Sequence, residues 1–141
     1  MIDKIDHLGI AVHSIEAARP LYAALGLEIS HIEEVPHEKV RVAMIPCGES
    51  LIELLEPTAE DSPVAKFLAS RGPGIHHLCL RSDDLDADDA RLRAAGLRLL
   101  RDAPTAGAGG MRVQFVHPKS AGGMLLELAQ PAADAAPRAE D

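Results

Sequence analysis

His7-Leu8-Gly9-Ile10-Ala11-Val12 lies over His77-Leu78-Cys79-Leu80-Arg81-Ser82 at an offset of 70 residues, and the match continues beyond those six positions. Without a gap, the same offset pairs Ile15 with Leu85, Ala17 with Ala87, Ala24 with Ala94, Gly26 with Gly96 and Leu27 with Leu97. It ends with Ile29 over Leu99. A chain that repeats itself at a fixed spacing is built from two copies of one structural unit. Each copy reads as a strand, a helix, a glycine that closes the helix, and a second strand. In the second copy Asp83 or Asp84 is placed to cap the helix, and Leu85, Leu92 and Ala95 fall on one face. In the first copy Pro20 interrupts the helical stretch and predicts a kink or a late start, because proline lacks the donor and crowds the preceding turn.

Each copy also closes alike. Ser50-Leu51-Ile52-Glu53-Leu54-Leu55-Glu56-Pro57 resembles Met124-Leu125-Leu126-Glu127-Leu128-Ala129-Gln130-Pro131 at an offset of 74. The second copy therefore carries about four extra residues, placed in the glycine-rich stretch from Ala106 to Gly110. Lys39 to Pro46 and Met111 to His117 read as further strands, so each half is β-α-β-β-β. The last ten residues, AADAAPRAED, are small, charged and proline-containing, and predict a disordered tail over 132–141.

Composition narrows what such a duplicated unit does. The chain has 141 residues, enough for one domain, and a formal charge of −8. That charge argues against binding a phosphate backbone, and three aromatic residues (Tyr22, Phe67 and Phe115) cannot make a base-stacking platform. No apolar run reaches membrane-spanning length, and MIDKIDH does not read as a secretory leader. Two cysteines, Cys47 and Cys79, are too few for a disulfide framework and point to a reducing, cytoplasmic setting.

The repeat maps two histidines onto each other, His7 and His77, and two glutamates, Glu53 and Glu127. Strand alternation puts Glu53 on one side with Leu51 and Leu55, and Glu127 with Leu125 and Ala129. A carboxylate set among apolar residues is costly unless paired or bound to a cation. A single case reads as a solvated strand face. Two matched carboxylates with two matched histidines suggest a two-histidine, two-carboxylate site for a divalent ion such as cobalt, manganese, nickel, iron or zinc. The other histidines read differently: His76 alternates away from His77 as a structural residue, His13, His31 and His37 sit in polar loop contexts, and His117 borders a strand end. Cys79 shares the His77 face as a small buried residue. The aspartates from Asp83 to Asp89 read as a solvated helix start favoured by the helix dipole.

These residues resemble the vicinal oxygen chelate superfamily and, within it, the methylmalonyl-CoA epimerases. The resemblance spans Ile2 to Gln130. It is carried by IDHLGIAV (Ile5 to Val12), IELLEP (Ile52 to Pro57), DSPVAKFL (Asp61 to Leu68), GIHHLCL (Gly74 to Leu80), FVHPKS (Phe115 to Ser120) and GGMLLEL (Gly122 to Leu128). It implies an α+β fold in one domain, 1–131, whose tandem βαβββ modules (about 4–57 and 74–131) form a curved mixed-sheet cup. It also implies His7, Glu53, His77 and Glu127 as ligands of one divalent ion, with cobalt first and manganese, nickel or zinc as alternatives.

The implied reaction is epimerisation of methylmalonyl-CoA by removal and return of the C2 proton. Racemisation needs an acid/base group on each face of that carbon. Glu127 is one, and Glu53 or a water is the second, because Val42 stands where some of these epimerases carry a glutamate. Arg112, Lys119 and His117 are the expected substrate contacts, with Lys39, Arg41, Lys66 and Arg71 as further cations for an acyl-CoA. Backbone donors of Gly107 to Gly110 offer another approach to the acyl end. A homodimer is implied as well. The alternatives are another enzyme of the superfamily, a glyoxalase-type isomerase or an Fe(II) dioxygenase, and a non-catalytic ligand binder.

Overall fold

The computed structural model describes residues 1–132; the expected disordered tail lies outside the described residues, apart from Ala132. The chain separates into two compact units. Of the described residues, one unit is His7–His76, and the other joins Met1–Asp6 to His77–Ala132. The strand β1 (Ile2–Ala11) contributes to both.

In the first unit α1 (Ile15–Ala24) follows β1, and β2 (His31–Val35), β3 (Val40–Cys47), β4 (Ser50–Pro57) and α2 (Pro63–Arg71) follow in turn. β2 and β3 are antiparallel, as are β3 and β4, whereas β4 runs parallel to β1. A parallel neighbour requires a crossover, and α1 belongs to it. Val12, Ile15, Tyr22, Ala43, Ile45 and Leu54 are buried together between helix and sheet, which explains an aliphatic core in a chain so poor in aromatics. Ser14 caps α1, and the helix runs from Ile15 straight through Pro20. The late start expected from Pro20 therefore does not occur: the cap fixes the start, and the proline is on the exposed side. The repeat gave no hint of α2. Ser62, itself buried, caps it, and proline opens it where its missing donor costs nothing.

The second unit repeats the plan with β5 (Gly74–Ser82), α3 (Leu85–Ala94), β6 (Thr105–Ala106), β7 (Met111–Val116) and β8 (Leu126–Pro131). β8 is parallel to β5 and antiparallel to β7. The counterpart of β2 is reduced to a Leu99–Val116 bridge and the two-residue β6. Gly26 and Gly96 both take positive φ, 80° and 84°, just past the two matched helices, a conformation that glycine adopts without steric cost.

The duplication extends to how each helix is anchored. The amide of Ile15 donates to Glu56 at 2.8 Å, and the amide of Leu85 donates to Gln130 at 2.9 Å. Both acceptors come from the end of the closing strand, so one orphan donor at each helix start is tied to the sheet. Asp84, one of the two expected caps, accepts from Ala87 at 3.1 Å.

The aspartate run is not uniformly solvated. Asp88 and Asp89 are only 2% and 8% exposed. The Ser82 hydroxyl donates to Asp88 at 2.5 Å, and Arg91 also binds that carboxylate. Arg93 and the fully buried Gln114 donate to Asp89 at 2.7 and 2.8 Å. Alternation of charge along the helix hid this, because the sequence does not show that Gln114 on β7 faces α3.

Candidate metal and acid/base site

In the first unit His7 opposes Leu51 on the parallel partner, and β4 presents Glu53 on the same face. The His7 Nδ1 atom lies 3.2 Å from Glu53 Oε2, with both side chains about one-twentieth exposed. In the second unit His77 Nε2 lies 3.0 Å from Glu127 Oε1, and this pair is also buried. Each unit thus holds one imidazole nitrogen and one carboxylate oxygen together, away from water. Burying carboxylates is expensive without a compensating cation, and imidazole with carboxylate is the donor set that borderline divalent ions take. His7, His77 and Glu127 are all buried donors of that kind. The residues present fit a divalent metal.

The expected faces hold. His77 shares its side of β5 with the buried Cys79, whose register partner is Glu127. Phe115, opposite Glu127 on β7, meets the His77 ring edge-on at 6.5 Å between centroids. His76 turns the other way and packs edge-on against Phe67 of α2 at 5.0 Å. In the first unit the Glu53 face continues through Met44, its partner on β3, and Val42, opposite Leu55. Val42 is 2% exposed, so an aliphatic side chain fills that position on the face.

The remaining expected contacts divide. Arg112 alternates to the side opposite Glu127, where it binds Asp86 at 2.9 Å and holds that carboxyl below its usual range. Met111, Val113 and Phe115 stand on the Glu127 side of β7. His117 caps a short 3-10 turn at the end of β7, its Nδ1 accepting from the Lys119 amide at 3.0 Å. Its pKa is lowered, first by desolvation and then by the charges of Arg98 and Lys119. The Lys119 side chain is exposed. Lys39 binds Asp61, Arg41 binds Glu56 at 3.0 Å, and Arg71 lies over the Phe67 ring. Lys66 is exposed. Gly107 is fixed by space: a Cβ there would meet Val113 at 2.9 Å.

Residues 6–115 match the family model of the Glyoxalase/Bleomycin resistance protein/Dioxygenase superfamily. The chain belongs to this superfamily. It has the superfamily's fold, an α+β arrangement of two βαβββ modules with mixed strand pairing. The ethylmalonyl-CoA/methylmalonyl-CoA epimerase of Cereibacter sphaeroides is 41% identical over 92% of this chain and 99% of its own. A Streptomyces coelicolor methylmalonyl-CoA epimerase variant, solved with 2-nitronate-propionyl-CoA, matches with TM-score 0.91 and 42% identity. That match covers 97% of this chain and all of the other. A methylmalonyl-CoA epimerase solved with methylmalonyl-CoA and ammonium matches equally well, at the same coverage. Among the described residues, no helix is long and apolar enough to cross a membrane.

His31, expected in a polar loop, lies on β2 with Glu33 two positions on, and the two side chains meet at 3.2 Å. Their i, i+2 spacing was the available signal.

Proposed function

We propose that this chain is an isomerase that epimerises methylmalonyl-CoA at C2. The observation that carries this reading is the duplicated, buried histidine–glutamate pair in a chain whose full-length relatives include methylmalonyl-CoA epimerases. In this reading His7, Glu53, His77 and Glu127 together hold one divalent ion. Such an ion supplies Lewis-acid stabilisation of negative charge on the acyl oxygens.

The protein's own groups do the proton work. Glu127 takes the proton from one face of C2. A carboxylate beside a cation is a weakened base, but fixed proximity to the carbon acid offsets part of that loss. Glu53 serves the opposite face, since the aliphatic Val42 has no proton to give. Low exposure keeps water from competing for the proton while it is in transit. His117 and Lys119 are the proposed substrate contacts from the end of β7. The Lys119 cation suits the phosphates of an acyl-CoA, and a half-buried His117 with lowered pKa is an uncharged hydrogen-bonding partner near neutrality.

Nitrogen and oxygen donors without sulfur favour cobalt, manganese, nickel or zinc in that reading. Two free thiols support a reducing compartment, hence the cytoplasm, and the family resemblance supports a homodimer. The test is incubation of metal-loaded protein with a single methylmalonyl-CoA epimer in D₂O, following configuration and deuterium at C2. Racemisation with deuterium appearing in product is the expected result. Retained configuration and a retained C2 proton contradict the reading.

A further inference from the structure

Methylmalonyl-CoA brings a carboxylate and several phosphates to a chain whose formal charge is −8. Against that net charge, the substrate's anions need cations fixed close to where they lie. In the second unit one arginine stands beside the buried histidine–glutamate pair. Phe115 lies opposite Glu127 and meets the His77 ring edge-on. The guanidinium carbon of Arg101 lies over that same Phe115 ring, 4.8 Å from its centroid. One aromatic ring thus connects a cation to the imidazole of the site.

Arg101 lies outside the strands and is held in place by its neighbours. Its carbonyl accepts from Gln114 Nε2 at 2.9 Å and from Arg93 at 2.6 Å, and the next carbonyl, of Asp102, accepts from Arg93 at 3.1 Å. Gln114 is fully buried on β7 and precedes Phe115, so the backbone that carries the cation is tied to the strand that carries the ring. The guanidinium also donates to the Thr105 hydroxyl, just ahead of the glycine-rich stretch. A side chain held in one geometry before its ligand arrives loses less entropy on binding. Stacking uses the flat face of a guanidinium, whereas a carboxylate or phosphate is recognised along its N–H edge. The two contacts are compatible in one side chain.

We infer that Arg101 is a substrate-binding residue that takes an oxyanion of the acyl-CoA, its carboxylate or a phosphate, on the guanidinium edge while Phe115 supports the face. The inference deepens the epimerase reading and rests on it. The anion is present before and after the C2 proton moves, so the contact binds ground state and transition state alike. Its loss therefore raises KM more than it lowers kcat.

The experiment uses the full, metal-loaded chain with Arg101→Gln, Arg101→Lys and Thr105→Val. Calorimetry compares three ligands: methylmalonyl-CoA, methylmalonyl-pantetheine, which lacks the phosphates, and propionyl-CoA, which lacks the carboxylate. Initial rates are measured on the first two. Arg101→Gln is expected to raise KM for methylmalonyl-CoA at least ~10-fold, the scale of a charge-assisted hydrogen bond, with bound metal retained. Arg101→Lys recovers part of the loss, and Thr105→Val shows a smaller loss of the same pattern. A carboxylate contact weakens methylmalonyl-pantetheine as well and spares propionyl-CoA. A phosphate contact weakens both CoA thioesters and spares methylmalonyl-pantetheine. Unchanged affinity for all three ligands overturns the inference, and so does an equal loss for all three, which marks a structural role. If Arg101→Gln does not fold, Arg101→Lys and Thr105→Val are read against the same ligands. A wild-type chain that binds methylmalonyl-CoA without epimerising it overturns the parent reading, whereas normal wild-type turnover with indifferent variants overturns the role of Arg101 alone.

Discussion

The two units place the same pair of residues on the same strands and surround them differently. In the first, Leu51, Leu55, Met44 and Val42 share the face of Glu53, and His31 and Glu33 stand further along that face on β2. In the second, the face around His77 and Glu127 carries Phe115 and Cys79, and the counterpart of β2 has shrunk to a bridge and two residues. The helix sides contrast as well. α1 covers an aliphatic cluster, whereas α3 buries Asp88 and Asp89 against Ser82, Arg91, Arg93 and Gln114. The parts held constant are those that a shared ion would demand, together with the tie of each helix to its closing strand. Elsewhere each unit has found its own packing.

The comparison breaks most readily at the histidines. His77→Ala is expected to remove bound metal and nearly all turnover, while His76→Ala, which loses an edge contact with Phe67, keeps both. Metal analysis beside the epimerase assay checks this, and the reverse pattern would overturn the assignment of faces. Next in size is Glu53→Gln, which keeps a ligand oxygen but cannot carry a proton. Turnover is expected to fall at least ~10²-fold with metal retained, the usual scale for a general base. Near-normal epimerisation would remove Glu53 from proton transfer and leave that face to water.

Smaller effects separate the units by stability. Stripping the ion with a chelator is expected to lower the melting temperature, because a ligand bound only by the native state stabilises it, by about 2.7 kcal/mol at a hundred times Kd. An unchanged melting temperature after verified removal would deny a tight native site. On the helix side of α3, burial raises the Asp88 and Asp89 pKa values. Hydrogen bonds from Ser82 and Arg91, and from Arg93 and Gln114, outweigh that and hold both below the usual carboxylate range. A lowered native pKa gives stability that is present above the unfolded value, near 4, and is lost as pH falls through the native one. Asp89→Asn is therefore expected to cost about 1–3 kcal/mol at neutral pH and less under acid, read from denaturant melts at the two pH values. An equal cost at both would mean that its charge contributes nothing.

Much of this was legible because the chain states it twice. The offset of 70 gave strands, helices, closing glycines and the two histidines, and alternation alone separated His77 from His76. The misreadings share a cause. Pro20 looked disruptive because a local rule ignores the Ser14 cap and an exposed helix face. The aspartate run looked solvated because nothing local shows that Gln114 and Ser82 project onto α3. His31 looked like a loop residue because β2 is short and half polar. Contacts made across strands, rather than along one, were hidden in each case.

The central claim is that one divalent ion is held jointly by a pair from each unit. Calorimetric titration of metal-free protein with cobalt, beside the His7→Ala and His77→Ala variants, tests it most directly. The account predicts one ion per chain, with tight binding lost in either variant. Two ions per chain, or one tight ion surviving the loss of either histidine, would contradict it.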